Sequence, residues 1–237
     1  MDPRHNVLGQ PIGFALEDWK PSRKPERQSM EGRFCRLEPL SRAAHLGALH
    51  AAFSADKEGR IWTYLPYGPF DRESDLGDWV DAMAAQDDPL FFAIIEAASG
   101  RALGVASYLR ITPNVGCIEV GHINFAPALQ RSAAASEAMF LMMARVFDEL
   151  GYRRYEWKCD ALNKASQRAA KRLGFVFEGI FRQATIYKGR NRDTAWYSII
   201  DREWPALKRA FETWLAPENF DADGSQKQSL GILTAHR

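Results

Sequence analysis

The chain has 237 residues, 46% of them hydrophobic, which is enough for one full core and short for two domains. With 31 basic against 30 acidic residues, its net charge of +1 lacks the basic excess that nucleic-acid binding demands. No apolar run reaches the length of about 20 residues needed to span a bilayer, and MDPRHNVLGQ has no apolar signal-peptide core, so the expectation is a soluble, cytoplasmic protein with no membrane partner.

Residues 1–31 are rich in proline, charge and polar side chains and cannot form a core of their own. Ile12, Phe14, Leu16 and Trp19 are candidate anchors, so this segment is expected to be an extended arm lying on the domain. Arg33 to Leu37 reads as a strand, and Arg42 to Phe53 as a helix with Leu46, Leu49 and Phe53 on one face. Asp75 to Ala85 is a second short helix. Leu90 to Ala97 and Ala102 to Ile111 read as strands joined by a turn in which Gly100 can take positive φ. Gly116 to Phe125 is the fourth strand. A helix from Ser132 to Leu150 follows, with Met139, Met142 or Met143, Val146 and Leu150 toward a core and Gly151 as a left-handed cap. Tyr155 to Cys159 is a strand, Asn163 to Leu173 a helix, Phe175 to Lys188 and Thr194 to Ile200 a hairpin, and Glu203 to Trp214 a closing helix. Residues 217–237 read as a polar, poorly ordered tail in which Leu230, Ile232 and Leu233 have no evident purpose. Residues 32–216 are thus one α/β domain: an antiparallel meander, then β-α-β and a hairpin, forming a mixed sheet with helices on both faces.

Cys35, Cys117 and Cys159 are widely spaced and form no C-x-x-C, which argues against a disulfide framework and against a zinc site; no metal is expected.

The stretch LQRSAAASEAM strips the side chains from a helix start. Unpaired amides and the positive end of the helix dipole attract an anion there, provided the first-turn side chains are small. Ser132 can supply the N-cap, and Gln130 and Arg131 add donors and charge, so residues 130–136 have the chemistry of a pyrophosphate cradle. The plainer alternative is an alanine-rich helix start packed on a sheet. The second such run is NKASQRAAKRLGF, where Asn163 is an N-cap candidate and Ser166 lies one turn on.

Three runs together resemble the GCN5-related N-acetyltransferase (GNAT) superfamily, in its RimJ/RimL-like branch. IEVGHINFAPALQRSAAASEA resembles that family's fourth strand and acetyl-CoA signature Q/R-x-x-G-x-G/A. NKASQRAAKRLGFVFEGIFR resembles its second motif, and YKGRNRDTAWYSI its terminal hairpin. The resemblance implies an N-acetyltransferase domain over residues 32–216. It implies acetyl-CoA as acetyl donor, held by Phe125, Gln130, Arg131, Ser132, Ala133, Ala134, Ala135, Ser136, Asn163 and Ser166. Ala133 stands where the family usually has glycine, which is tolerable if its φ is ordinary. The family's fourth and fifth strands splay, and the pantetheine arm lies between them like a strand.

The implied reaction is direct acetyl transfer to a primary amine, on a protein N-terminus or a small molecule. Glu119 resembles the family's base position. It could equally be a solvent-facing strand glutamate. A backbone N–H on that strand would polarise the thioester. The tyrosine that often protonates the leaving thiolate is replaced by Ala170, so Ser166 is the substitute, with Tyr187 weaker. His122 could be a base or a hydrogen-bonded core histidine. In IWTYLPYGPF, Tyr64 and Tyr67 are candidates for holding the amine, against a hydrophobic plug as the alternative. A homodimer is allowed by the family. The rival reading is a non-catalytic acyl-CoA-binding sensor or interaction module, kept alive by Ala133 and Ala170.

Overall fold

The computed structural model describes residues 4–235. Two short strands, β1 (Arg4–His5) and β2 (Pro11–Ile12), pair in the arm. They are followed by β3 (Met30–Glu31), β4 (Cys35–Pro39), α1 (Arg42–Phe53), α2 (Glu73–Ala84), β5 (Leu90–Glu96), β6 (Ala102–Thr112) and β7 (Cys117–Phe125). Then come α3 (Ala133–Ala144), β8 (Arg154–Asp160), α4 (Lys164–Arg172), β9 (Val176–Tyr187), β10 (Arg190–Ile200), α5 (Trp204–Leu215) and α6 (Leu230–Ala235). Eight strands form one sheet in the order β3-β4-β5-β6-β7-β8-β10-β9. Every neighbouring pair is antiparallel except β7 and β8, which run parallel because α3 carries the chain back across the sheet.

The side-chain alternation of β5 shows why this sheet is covered twice. Phe91 packs edge-on against Trp79 of α2, while Phe92 packs against Tyr108, whose hydroxyl donates to the Met142 carbonyl of α3 at 2.8 Å. Successive side chains point to opposite faces, so α1 and α2 cover one face and α3 and α5 the other. Six of the seven β5 residues are buried, which is the near-continuous apolar run of a central strand. Gly100 turns the β5–β6 hairpin at φ 66° and Gly151 follows the long helix at φ 74°.

One buried carboxylate fixes α3 to the sheet. Glu137, 3% exposed, accepts hydrogen bonds from the amides of Arg33 (2.8 Å), Phe34 (2.6 Å) and Cys35 (2.8 Å). These amides enter β4, so the charge is satisfied by three backbone dipoles rather than by a cation. A Cβ on Gly32 would stand 2.5 Å from the Glu137 carboxylate, which is why that turn has no side chain.

Three expectations are corrected. The long helix is α only to Ala144; Arg145–Glu149 widens into a π-helix, with the Leu150 amide donating to the Arg145 carbonyl. There Arg145, 7% exposed, binds the carbonyls of Gln28 and Ser29 and so holds the arm. The arm is anchored by polar groups more than by its apolar ones: Ser22 donates to the Gly151 carbonyl and the Trp19 indole to the Asn114 carbonyl, while Ile12, Phe14 and Leu16 stay about half exposed. Residues 217–235 are not a loose tail. The Asn219 amide group donates to the carbonyls of Trp214 and Gln228, and α6 packs on α4 and α5. Leu230 is buried and the Thr234 hydroxyl donates to the Arg172 carbonyl. Leu230 and, in part, Leu233 thus pack into the core, while Ile232 stays exposed at 57%. Met1 to Pro3 and His236–Arg237, at the ends of the expected arm and tail, lie outside the described residues.

Removing the Glu137 charge tests the anchor. Glu137→Gln leaves one acceptor oxygen for three amides and points donors at donors. It should lower unfolding stability by about 2 kcal/mol or more in urea titrations, since hydrogen bonds to a buried charge contribute roughly 1.5–3 kcal/mol each.

Candidate active site

The parallel pairing of β7 with β8 ends early. It runs from Cys117 opposite Arg154 to Val120 opposite Trp157, and no further. Beyond that point both strands continue, to Phe125 and to Asp160, without pairing to each other. The cause is visible on the other side of β7. There His122 and Ile123 stand opposite the single residue Ala106, an extra residue that bends the strand, and His122 takes φ 51°. The bulge swings the end of β7 away from β8 and leaves backbone groups facing a gap.

That gap opens into a cleft of about 1360 Å³, lined by both parting strands, by the starts of α3 and α4, and by the β9–β10 hairpin. The hairpin is tied over it: Lys188 Nζ donates to the Trp62 carbonyl and Arg190 to the Thr63 carbonyl.

At one end of the cleft lies the α3 start. Ser132 is the N-cap; its Oγ accepts from the Ala135 amide at 3.1 Å and donates to the Leu129 carbonyl at 2.7 Å. The amides of Ala133 and Ala134 have no partner among the described residues. Positive φ falls on Arg131, at 61°, and not on Ala133, which has ordinary helical geometry. The alanine in the glycine position therefore costs nothing in backbone strain. A left-handed residue followed by a helix start turns successive amides toward one point, a concavity suited to an anion. Gln130, Arg131 and Ala135 line the cleft, whereas Ser132, Ala133, Ala134 and Ser136 do not. Ala134 and Ser136 are buried inward. Ser136 acts at one remove, its hydroxyl accepting from Arg172 at 3.1 Å.

Arg168 and Arg172 also line the cleft. They were missed in the sequence, although their i, i+4 spacing puts both on one face of α4. Arg131, Arg168 and Arg172 make no ion pair among the described residues. Burial pushes the Arg172 guanidinium below its ordinary range. Three unbalanced guanidiniums in one cleft, two of them (Arg131 and Arg172) at the α3 start, fit a phosphorylated ligand.

At the start of α4, Asn163 takes the bland role as well as a site position. Its Oδ1 caps the helix, accepting from the Ser166 amide at 3.0 Å, while the residue lines the cleft. Ser166 Oγ accepts from the Trp157 indole at 2.9 Å, and Cys159, a thiol that burial pushes up, lines the same cleft. Ala170 is fully buried and, as an alanine, has no hydroxyl to offer.

Mid-cleft, Glu119 stands opposite Glu156 in the parallel register. Two carboxylates side by side would repel. Lys158 bridges them, with Nζ 2.8 Å from Glu119 and 2.6 Å from Glu156, and sits 3.7 Å from the Trp196 ring centroid. Arg110 adds a 2.6 Å bond to the same Glu119 oxygen, Oε2. Oε1 makes none of these bonds and lies toward Gly121, where the strands part. Glu119 is thus buried at 3% exposure, not solvent-facing, and still lines the cleft. Lys158 was missed; alternation in YEWKCD, with Tyr155 and Trp157 on one face and Glu156, Lys158 and Asp160 on the other, was its signal.

His122 is pulled down to about 4, by burial first and then by the Arg110 and Arg192 charges. Its Nδ1 lies 3.1 Å from the Tyr67 hydroxyl. Tyr67 is turned away from the cleft. Its ring joins Trp62, Phe70, Trp79 and His122, and burial pushes its hydroxyl up. Tyr67 therefore belongs to the plug rather than the acceptor pocket, because two tryptophans offer it more apolar surface than the cleft does. Tyr64 does line the cleft, as does Phe125. The Tyr187 hydroxyl, raised to about 12 mainly by burial, donates to Asp160 Oδ2 at 2.8 Å.

Comparison with known proteins agrees with this geometry. Residues 35–176 match the family described as Acetyltransferase (GNAT) domain. A GCN5-related N-acetyltransferase from Brucella melitensis is 50% identical, with 93% of this chain and 100% of that one covered and a TM-score of 0.91. A probable acetyltransferase of the GNAT family from Chromobacterium violaceum is 41% identical, covering 83% and 98% of the two chains, with a TM-score of 0.77. An uncharacterized N-acetyltransferase of Bacillus subtilis, YnaD, is 26% identical over 65% of this chain and 88% of its own. A domain-wide family match and a half-identical relative with the same fold leave one conclusion: the chain belongs to the GNAT acetyltransferase family.

Proposed function

We propose that this protein is an acetyl-CoA-dependent N-acetyltransferase, of the RimJ/RimL-like branch, that acetylates a primary amine. The observation that carries the reading is the parting of β7 and β8 in line with the free α3 start, which together offer strand-like pairing and an anion cradle in one cleft. When bound, acetyl-CoA supplies an activated acetyl group and a thiol leaving group. The residues suited to hold it are Phe125, Gln130, Arg131, Ala135, Asn163 and Ser166, with the amides of Ala133 and Ala134, and with Arg168 and Arg172 added.

Glu119 is the proposed base. An amine must lose a proton before it attacks, and Oε1 faces the parting point while Oε2 is held by two cations. The ion pairs hold the carboxylate oriented, so a bridging water between Oε1 and the amine is the economical path. Ser166 is the proposed proton source at the thiol end. Its oxygen already accepts from Trp157, which leaves its own O–H to donate. A thiol leaves with a pKa of about 8.5, so the assistance required is small. His122 is held in the aromatic plug instead, its ring stacked on Tyr67 and its Nδ1 3.1 Å from the Tyr67 hydroxyl. The Trp196 face over Lys158 and the buried Glu119–Lys158–Glu156 chain keep the site ordered. A cytoplasmic setting fits the three unpaired cysteines. The rival reading, a sensor that binds acyl-CoA without turnover, is disfavoured by the oriented Glu119, which a binding module does not need.

Three outcomes are expected. Glu119→Gln should lower kcat by about a hundredfold or more in a thiol-release assay, while calorimetry shows coenzyme A affinity unchanged; equal turnover would leave only the sensor. Arg172→Ala should weaken coenzyme A binding by about tenfold, and raising the salt concentration should narrow that gap. His122 has a folded pKa below its unfolded value near 6.5, so the unfolded chain binds the extra proton between those values. Stability should therefore fall as pH drops from about 6.5 toward 4. His122→Asn should flatten that slope in urea titrations without creating a limb near pH 6.5 in the rate profile.

A further inference from the structure

The cleft is far more basic than the chain. Away from the α3 start, Arg60, Arg110, Lys158, Arg182 and Arg192 line it, against two carboxylates, Glu119 and Asp160. Both carboxylates are already engaged. Glu119 binds Arg110 and Lys158, while Asp160 accepts from the Tyr187 hydroxyl and from the Leu162 amide, each at 2.8 Å. A polycationic acceptor would find one unbonded carboxylate oxygen, Glu119 Oε1, for several ammonium groups.

Unsatisfied donors gather in the same place. Asn124 is 2% exposed on the open end of β7, and neither atom of its side-chain amide has a partner among the described residues. Arg192 of β10 makes no ion pair among them, and its buried Nε has no acceptor. The Trp196 indole N–H, four residues further along β10 and also in the lining, is likewise unpartnered. Arg192 lines the same cleft as Asn124, with His122 of one parting strand and Cys159 of the other. A buried amide with nothing to bind costs roughly 1–3 kcal/mol, and a protein keeps such a group where a ligand completes it.

We propose that the acceptor is a small amino acid whose carboxylate is gripped by Arg192 and Asn124 in the mid-cleft. A guanidinium with a free edge pairs with a carboxylate in the planar, two-bond manner. The Asn124 Nδ2 adds a donor to the carboxylate, and its Oδ1 is left to accept from the neighbouring ammonium. This inference rests on the transferase reading for what happens to the amine, but carboxylate recognition is testable without it.

The protein saturated with coenzyme A is titrated calorimetrically with matched pairs, leucine against isopentylamine and phenylalanine against phenethylamine, and with spermidine. Thiol release from acetyl-CoA is followed with the same compounds. Each acid should bind at least about tenfold tighter than its decarboxylated partner and than spermidine. Arg192→Gln should erase that difference, Arg192→Lys should restore part of it, and both variants should keep their coenzyme A affinity. Amines or spermidine that bind as well as the acids would overturn the proposal. So would an absence of acid binding at millimolar concentration, or an Arg192→Gln that weakens coenzyme A and leaves the acids alone. Selective acid binding with no thiol release from any compound would instead sink the transferase reading and leave carboxylate recognition standing.

Discussion

Everything at this site depends on two parallel strands that stop pairing halfway. A sheet normally closes every backbone group with a neighbour, and a gap inside one exposes amides and carbonyls at real cost. Here the extra residue at His122–Ile123 forces the end of β7 outward, and the hydrogen-bonding edges of β7 and β8 beyond Val120 and Trp157 face each other across open space. That space is the length of a few residues, and it leads to the α3 start. An elongated ligand with amides in its middle and phosphates at its end satisfies both at once, which is why fold and cofactor class arrive together.

The gap survives because the pieces around it are fixed independently. Glu137 locks α3 to the entry of β4 through three amides, so the helix start cannot drift to cover the opening. Arg154 continues the charge chain from Glu156 to Glu178, stitching β8 to the terminal hairpin below the parting point. The hairpin in turn holds the 60–70 loop through Lys188 and Arg190. Each of these contacts joins elements far apart in sequence, and each leaves the open ends of β7 and β8 untouched.

Charge is distributed just as unevenly. A chain with a net charge of +1 concentrates guanidiniums in one cleft because its acids are spent elsewhere, on surface pairs such as Arg42 with Asp78 and Asp81 or Arg72 with Asp75. Composition could therefore not reveal the basic cleft. A net charge is a sum, and it does not fix how the charges are distributed.

Local pattern alone determined most of the elements: α1 spans the predicted residues, the β5–β6 hairpin turns at Gly100, and the caps Ser132 and Asn163 sit where small polar residues precede apolar periodicity. These depend on neighbours within a few positions, which is the range over which propensity and periodicity act. The motif at residues 130–136 was legible for the same reason. What only the tertiary structure decided were the relations between distant segments. It made Glu119 a buried member of a Lys158 bridge, turned Tyr67 into the plug, brought Arg168 and Arg172 into the cleft, and folded the polar tail onto α4 and α5. A side chain's partner across a sheet is set by register and by the bulge at His122, and neither is written in the few residues on either side of it.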